Sequence, residues 1–155
     1  MRDNPLKRLA LCAMLLLVWS ANAQANWCKI TGGGVVFGAY DPTSSANLDT
    51  TGSLILQCNS VFNVVLSLSV GNGAGASYSA GRKMTRSGGS GTLTYNLYAN
   101  AARTQVLGDG TGSSVTLAIH GNNTYTQSIW ARIPGNQSLV SSGSYGDTVV
   151  VTISY

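Results

Sequence analysis

From residue 34 to the last residue, apolar side chains recur at every second position in short runs closed by Gly, Asn, Ser or Asp. A period of two belongs to strands that bury one face. Leu93, Tyr95 and Leu97 stand against Thr94, Asn96 and Tyr98, and Val64, Leu66, Leu68 and Val70 share one parity. The pattern predicts strands over 34–40, 52–58, 63–70, 92–98, 114–120, 125–133 and 148–155. Strands this short and this evenly spaced predict an all-β fold, a β-sandwich. Helices are excluded by composition, because 19 glycines are joined by many Ser, Thr and Asn and by few strong helix formers. Turn chemistry fills the gaps: Asp41-Pro42, Gly71-Asn72-Gly73, the run 87–91, Gly108-Asp109-Gly110 and Pro134-Gly135-Asn136. The run 71–75 reads as a hairpin loop. It is not a phosphate cradle, since no helix and no Lys-Ser/Thr pair follow it.

Residues 1–23 have the layout of a secretory signal peptide. Arg2, Lys7 and Arg8 precede an unbroken apolar run from Leu9 to Trp19, and Ala21 and Ala23 offer small residues for cleavage after Ala23, with a second cut after Ala25. A membrane anchor is the alternative, but the run is about half the ~20 residues needed to cross a bilayer. The expected mature chain, 24–155, is one domain with no internal linker. The formal charge of +4 overstates its basicity. Beyond residue 23 it holds Lys29, Arg82, Lys83, Arg86, Arg103 and Arg132 against Asp41, Asp49, Asp109 and Asp147, with no Glu. So small an excess gives no reason to expect nucleic acid. Cys12 leaves with the leader. Cys28 and Cys58 remain as an even pair in a chain bound for an oxidising compartment, and one disulfide is expected, free thiols being the alternative.

Catalytic chemistry finds no foothold. His120 is the one histidine, and no serine sits in the Gly-x-Ser-x-Gly context of a nucleophile elbow. The acids read as turn residues rather than a paired acid and base. Two cysteines and one distant histidine do not make a metal site. No catalytic residue, metal or cofactor is expected, and the chain is not read as an enzyme. Arg82-Lys83-Met84-Thr85-Arg86 is the one basic cluster and reads as a solvated segment, the other reading being contact with an acidic partner or a surface polysaccharide. Trp27, Trp130, Tyr78, Tyr95, Tyr98, Tyr125, Tyr145 and Tyr155 pack in the core or across strands, or else form a sugar-binding platform. The two Asn-x-Ser/Thr sequences, 122–124 and 136–138, read as polar loops.

At the end of the chain Tyr145, Val149, Val151, Ile153 and Tyr155 fall on one parity, with Asp147 among them. This strand either presents an edge for pairing or lies in mid-sheet, and the pattern alone leaves both open.

The chain resembles the spore coat protein U domain family, shared with the archaic (Csu-type) chaperone–usher pilins. The resemblance is carried by Cys28, Phe37-Gly38-Ala39-Tyr40-Asp41-Pro42, Gly52 leading to Cys58, and Leu66-Ser67-Leu68-Ser69-Val70-Gly71. It continues through Arg82-Lys83-Met84, Leu93-Thr94-Tyr95-Asn96-Leu97-Tyr98 and Leu107-Gly108-Asp109-Gly110, and ends in the stretch 143–155. It implies an immunoglobulin-like β-sandwich that lacks its final strand. A periplasmic chaperone, then the N-terminal segment of the next subunit, would fill the resulting groove by strand addition. The groove wall would include Val149, Val151, Ile153 and Tyr155, and a Cys28–Cys58 disulfide would tie the first strand to the second. The implied function is a secreted structural subunit of a pilus, serving adhesion or biofilm formation. Its partners would be the chaperone, an outer-membrane usher and other subunits, and its place the periplasm and then the cell surface. A non-pilus coat protein and a carbohydrate-binding module are the alternatives. Only four residues, 24–27, lie between the expected cleavage and Cys28. That is about 13 Å of strand, too short to fill a neighbour's groove. A tip or terminal subunit is therefore expected, whose loops 87–91 or 122–125 face a surface receptor.

Overall fold

The computed structural model describes residues 25–60, 62–121 and 123–155. The expected leader, 1–23, and Asn122 of the loop 122–125 lie outside the described residues. Among the described residues nine strands form: β1 (Cys28–Gly34), β2 (Leu48–Cys58), β3 (Phe62–Leu68), β4 (Arg82–Arg86), β5 (Thr92–Tyr98), β6 (Leu117–Gly121), β7 (Thr124–Ile133), β8 (Tyr145–Gly146) and β9 (Val151–Ser154). One sheet has the order β1-β2-β7-β5-β4-β8 and the other β6-β3-β9. Every strand pair is antiparallel, and the chain passes between the sheets after β2, β3, β5, β6 and β8. This is an all-β, immunoglobulin-like sandwich.

The period-two pattern does what it predicts. Leu54 and Leu56 of β2, Val64 and Leu66 of β3, Leu93 and Leu97 of β5, and Ile129 and Ile133 of β7 are buried between the sheets. The predicted strand 92–98 coincides with β5. Others shift at their ends: β2 begins at Leu48, and the final strand shortens to Val151–Ser154.

Four expectations are corrected. Residues 35–40 form no strand; the alternation of Val35, Phe37 and Ala39 has no partner to pair with, and β1 lies just before it. The run 71–75 is not a hairpin loop, because β3 and β4 belong to different sheets and the loop crosses between them. Gly71 lies at φ 89, where a Cβ would overlap the Asp147 carboxylate, so a glycine there lets the crossing loop press against that side chain. The basic cluster at 82–86 is strand β4, not a solvated segment. Asp49 and Asp147 are not turn residues: Asp49 lies within β2, and Asp147 bonds Asn72 and Tyr95 from across the sandwich.

Arg82 is fully buried. Its guanidinium donates to the Ser69 carbonyl from Nε (3.2 Å) and Nη2 (2.9 Å), to the Leu107 carbonyl (2.7 Å) and to Asn96 Oδ1 (3.3 Å). It also lies 5.3 Å from the centre of the Tyr78 ring. Burial pulls its pKa down, against the tyrosines Tyr95 and Tyr78 and the acids Asp147 and Asp109, which raise it. The planar fork lets one side chain satisfy carbonyls from two connections at once. Arg82→Met leaves those acceptors unpaired in the core, and urea unfolding should show a loss of about 3 kcal/mol or more. Arg82→Lys, with one rotatable ammonium, should recover only part of it. A methionine variant that unfolds like the parent would remove Arg82 from the list of things that hold the sheets together.

Acid should weaken the fold. Asp49 is held below the usual carboxylate value of 3.8, first by the hydrogen bond from Arg132 and then by the charges of Arg103 and Arg132, with burial opposing. Asp41 and Asp109 are lowered chiefly by the hydroxyls and backbone N–H groups of Thr43 and Thr111. A carboxylate whose folded pKa is depressed contributes stability above its unfolded value and loses it as pH falls through the folded one. The melting temperature should hold near neutrality and fall below about pH 4, and Asp49→Asn should make that limb shallower.

Candidate functional site: a groove between the sheets

Pairing stops at β9. It is the edge of the order β6-β3-β9, bonded to β3 through Val65↔Ser154, Leu66↔Ile153, Ser67↔Thr152 and Leu68↔Val151. Across the sandwich β1 is the edge of the larger sheet, held to β2 by the Cys28–Cys58 disulfide and by a ladder with a bulge between Ile30 and Gly32. Between these two edges lies a cavity of about 1280 Å³ that reaches down to core residues of both sheets. Leu54, Leu68, Leu93, Leu97 and Ile129 make its floor.

One wall is β1 and the strap 35–40. The strap makes no ladder but is tied at three points: Thr50 Oγ1 donates to the Val36 carbonyl (3.2 Å), the Tyr40 hydroxyl donates to the Pro134 carbonyl (2.7 Å), and Phe37 meets Tyr95 edge-on at 5.9 Å. Its approach to β2 depends on Gly52, where a Cβ would overlap the Gly34 carbonyl oxygen and crowd the Val35 side chain. The other wall runs from Val140 to Val149 and on to Val151.

Of the residues expected to form the groove, Val149 and Val151 line the cavity. Ile153 packs against the same core further along β9, and Tyr155 is 64% exposed beyond the end of the strand. Val36 and Phe37 of the opposite wall, Met84 of β4, and Val140 complete the lining without having been expected there. Val36 is 85% exposed beside this apolar gap.

The lining is apolar apart from backbone, hydroxyls and Asp147, the one charged residue among its described members. Asp147 accepts from the Tyr95 hydroxyl (2.8 Å) and from the backbone N–H groups of Asn72 (2.8 Å) and Thr148 (2.8 Å). Burial first, and then this carboxylate, push the Tyr95 phenol well above its ordinary value of 10.0, so it stays a donor. No histidine, no cysteine and no second carboxylate shares the described lining. His120 is exposed on β6. The groove offers apolar pockets beside an edge strand, which suits the recognition of an extended chain through main-chain bonds and alternate side chains. The aromatic residues are dispersed: Tyr78 and Tyr95 pack in the core, while Trp27 and Tyr125 are exposed.

A family model described as Spore Coat Protein U domain matches residues 14–152. The chain is 33% identical over 132 residues to Protein U of Myxococcus xanthus, covering 80% of this chain and 73% of that protein. Among solved structures it is similar to the chaperone–tip adhesion subunit pre-assembly complex from archaic chaperone-usher Csu pili of Acinetobacter baumannii, with a TM-score of 0.58 and 19% identity. That match covers 84% of this chain and 40% of the other, so the chain spans less than half of the one it resembles.

Because the close approach of Gly34 and Val35 to β2 needs the bare Cα of Gly52, Gly52→Ala should push them away from β2 and deform the first wall. Hydrogen exchange should then quicken at β1 while β5 keeps its protection. Unchanged exchange at β1 would show that the wall does not depend on this contact.

Proposed function

Because the chain belongs to the Spore Coat Protein U domain family, we propose that it is an exported structural subunit of a chaperone–usher pilus, not an enzyme, and that its groove takes a strand supplied by another chain. The observation that carries the reading is the coincidence of an unpaired edge at β9 with an apolar cavity that opens along it. An edge strand alone is a liability, and an apolar gap in a sandwich core loses packing on every side. One added strand removes both faults, its main chain pairing with β9 and its alternate side chains filling the cavity. In this reading Val149, Val151, Ile153 and Tyr155 form one wall, the strap at 35–40 the other, and the Cys28–Cys58 bond fixes the edge strand β1.

A periplasmic chaperone occupies the groove first, and a neighbouring subunit takes its place as an outer-membrane usher assembles the fibre. Export through the leader at 1–23 brings the chain to the periplasm and then to the cell surface. The proposal extends to a tip or terminal position that serves adhesion or biofilm formation. Cleavage after Ala23 leaves four residues before Cys28, about 13 Å of strand and too short to fill a neighbour's groove. The likeness to a complex that contains a tip adhesion subunit supports the same placement. The second reading is a coat protein that forms no fibre, favoured by the relation to Protein U.

The test is co-purification from the periplasm followed by thermal melting, with and without a synthetic peptide of about ten residues alternating valine and threonine. The protein alone should melt low, and at about a hundredfold excess of peptide over Kd the melting temperature should rise by about 10 °C or more. Val151→Asp should abolish the rise. A monomer that melts high and ignores the peptide has a complete sheet, and the coat reading then replaces the pilus.

A further inference from the structure

The outer face of the larger sheet carries a second constellation, remote from the groove by the alternation of the strands. Leu97 of β5 and Ala131 and Ile133 of β7 are buried, so Tyr98, Trp130 and Arg132 point the other way. Tyr98 stands directly opposite Trp130, and Asn96 opposite Arg132. On the far side of β7, Asp49 of β2 stands opposite Arg132 and takes a forked bond from it, 2.7 Å from Nε and 2.8 Å from Nη2. Arg103 adds a second contact to the same carboxylate at 3.4 Å. On β4, Arg82 and Met84 turn inward, so Lys83 faces out, opposite Thr94 and bonded to its hydroxyl. Four neighbouring strands, roughly 15 Å across at ordinary strand spacing, and the connection after β5 therefore display Lys83, Arg132 and Arg103 against one acid, beside a cross-strand pair of half-buried aromatic rings.

We propose that this face binds an acidic polysaccharide, one bearing carboxylates on its sugar rings. The aromatic pair offers flat apolar faces to the C–H faces of a pyranose, and an outward Trp beside a Tyr is surface that a partner gains by covering. The excess of cations complements ring carboxylates by charge, the fork of Arg132 being engaged with Asp49 and the donors of Arg103 with the carbonyls of Ala131, Ala101 and Thr50. The acid in the middle decides between polyanions. Asp49 is kept ionised by its arginines and accepts hydroxyl hydrogens, which sugars supply and phosphodiesters lack. This site is independent of the groove and of strand addition.

Affinity electrophoresis of the full secreted chain tests it, with polygalacturonate in the gel, dextran as the neutral polymer and double-stranded DNA at equal charge. Polygalacturonate should retard the protein, dextran should not, and DNA should retard it less. Lys83→Gln, a change at the surface of an edge-side strand, and Trp130→Leu should each weaken polygalacturonate binding about tenfold, the loss of one charged or stacked contact. Thermal melting reports whether each variant is folded, and Lys83→Gln alone suffices if Trp130→Leu unfolds. No retardation by polygalacturonate, equal retardation by DNA, or full binding by a folded Lys83→Gln variant would each overturn the proposal.

Discussion

A guanidinium shut away from water joins the two sheets, and much of the rest follows from it. Arg82 leaves β4 in the larger sheet, yet its hydrogen bonds go to Ser69, just past the end of β3 in the smaller one, and to Leu107 in the connection between β5 and β6. Removing a cation from water costs several kcal/mol unless its donors are met and its charge is shared. Here the carbonyls, Asn96 and the Tyr78 ring meet it, and the Tyr78 hydroxyl in turn donates to the Leu68 carbonyl (2.6 Å). Asp147 joins the cluster through Tyr95 and clamps the crossing loop at Asn72. β4, the end of β3 and the entry to β9 are thus tied by polar bonds that have one satisfying arrangement.

That brace makes an open groove tolerable. A sandwich normally closes by burying apolar faces, and a cavity of about 1280 Å³ between them forfeits part of that stabilisation. The sheets stay apart at the groove because they are held elsewhere. The Arg82 cluster spans them, and the disulfide between Cys28 and Cys58 keeps β1 from peeling off the far edge. Side chains such as Leu68 and Ile129, each 2% exposed, still face the cavity, so the gap lies beneath the surface and is reached from the edge.

Which parts of this were legible depends on where the partners of each residue lie in the chain. β5 is readable to the residue, because Leu93, Tyr95 and Leu97 alternate with polar neighbours and Gly91 closes the run. β1 is not, because Gly32-Gly33-Gly34 carries no side-chain alternation; it is a strand because the bulge and the bare backbone let it press against Ser53 and Leu54. Val35, Phe37 and Ala39 alternate like a strand but run as a strap, since pairing requires a neighbour that sequence pattern does not reveal. Arg82 misleads most. Beside Lys83 and Arg86 it looks solvated, and only the meeting of Ser69, Asn96 and Leu107, scattered over 39 positions of sequence, makes its burial affordable. Val149 and Val151 share a parity that carries through the end of the chain, but the pattern alone leaves open what that face meets; their expected place in a groove wall comes from the family resemblance. The opposite wall was not legible, because it is built from the strap.

The treatment of the other edges bears on the meaning of the open one. β7 ends at Ile133, and continuing its register with β5 brings Pro134 opposite Thr94, where proline has no N–H to give. The Gln137 side chain takes over: its Oε1 accepts from the Thr94 N–H (2.9 Å) and its Nε2 donates to the Thr94 carbonyl (3.0 Å). A side-chain amide thereby supplies the bonds a strand would have made. β4, which would otherwise end the sheet, is covered by the two residues of β8, with Thr85 opposite Gly146 and Arg86 opposite Tyr145. This chain therefore closes main-chain vacancies even where it must use a side chain or a two-residue strand to do so. Among the described residues β9 receives no such cover, although apolar pockets lie along it and four residues of ladder are formed on its other side. An edge left open beside an apolar cavity is the geometry that the proposed strand addition requires.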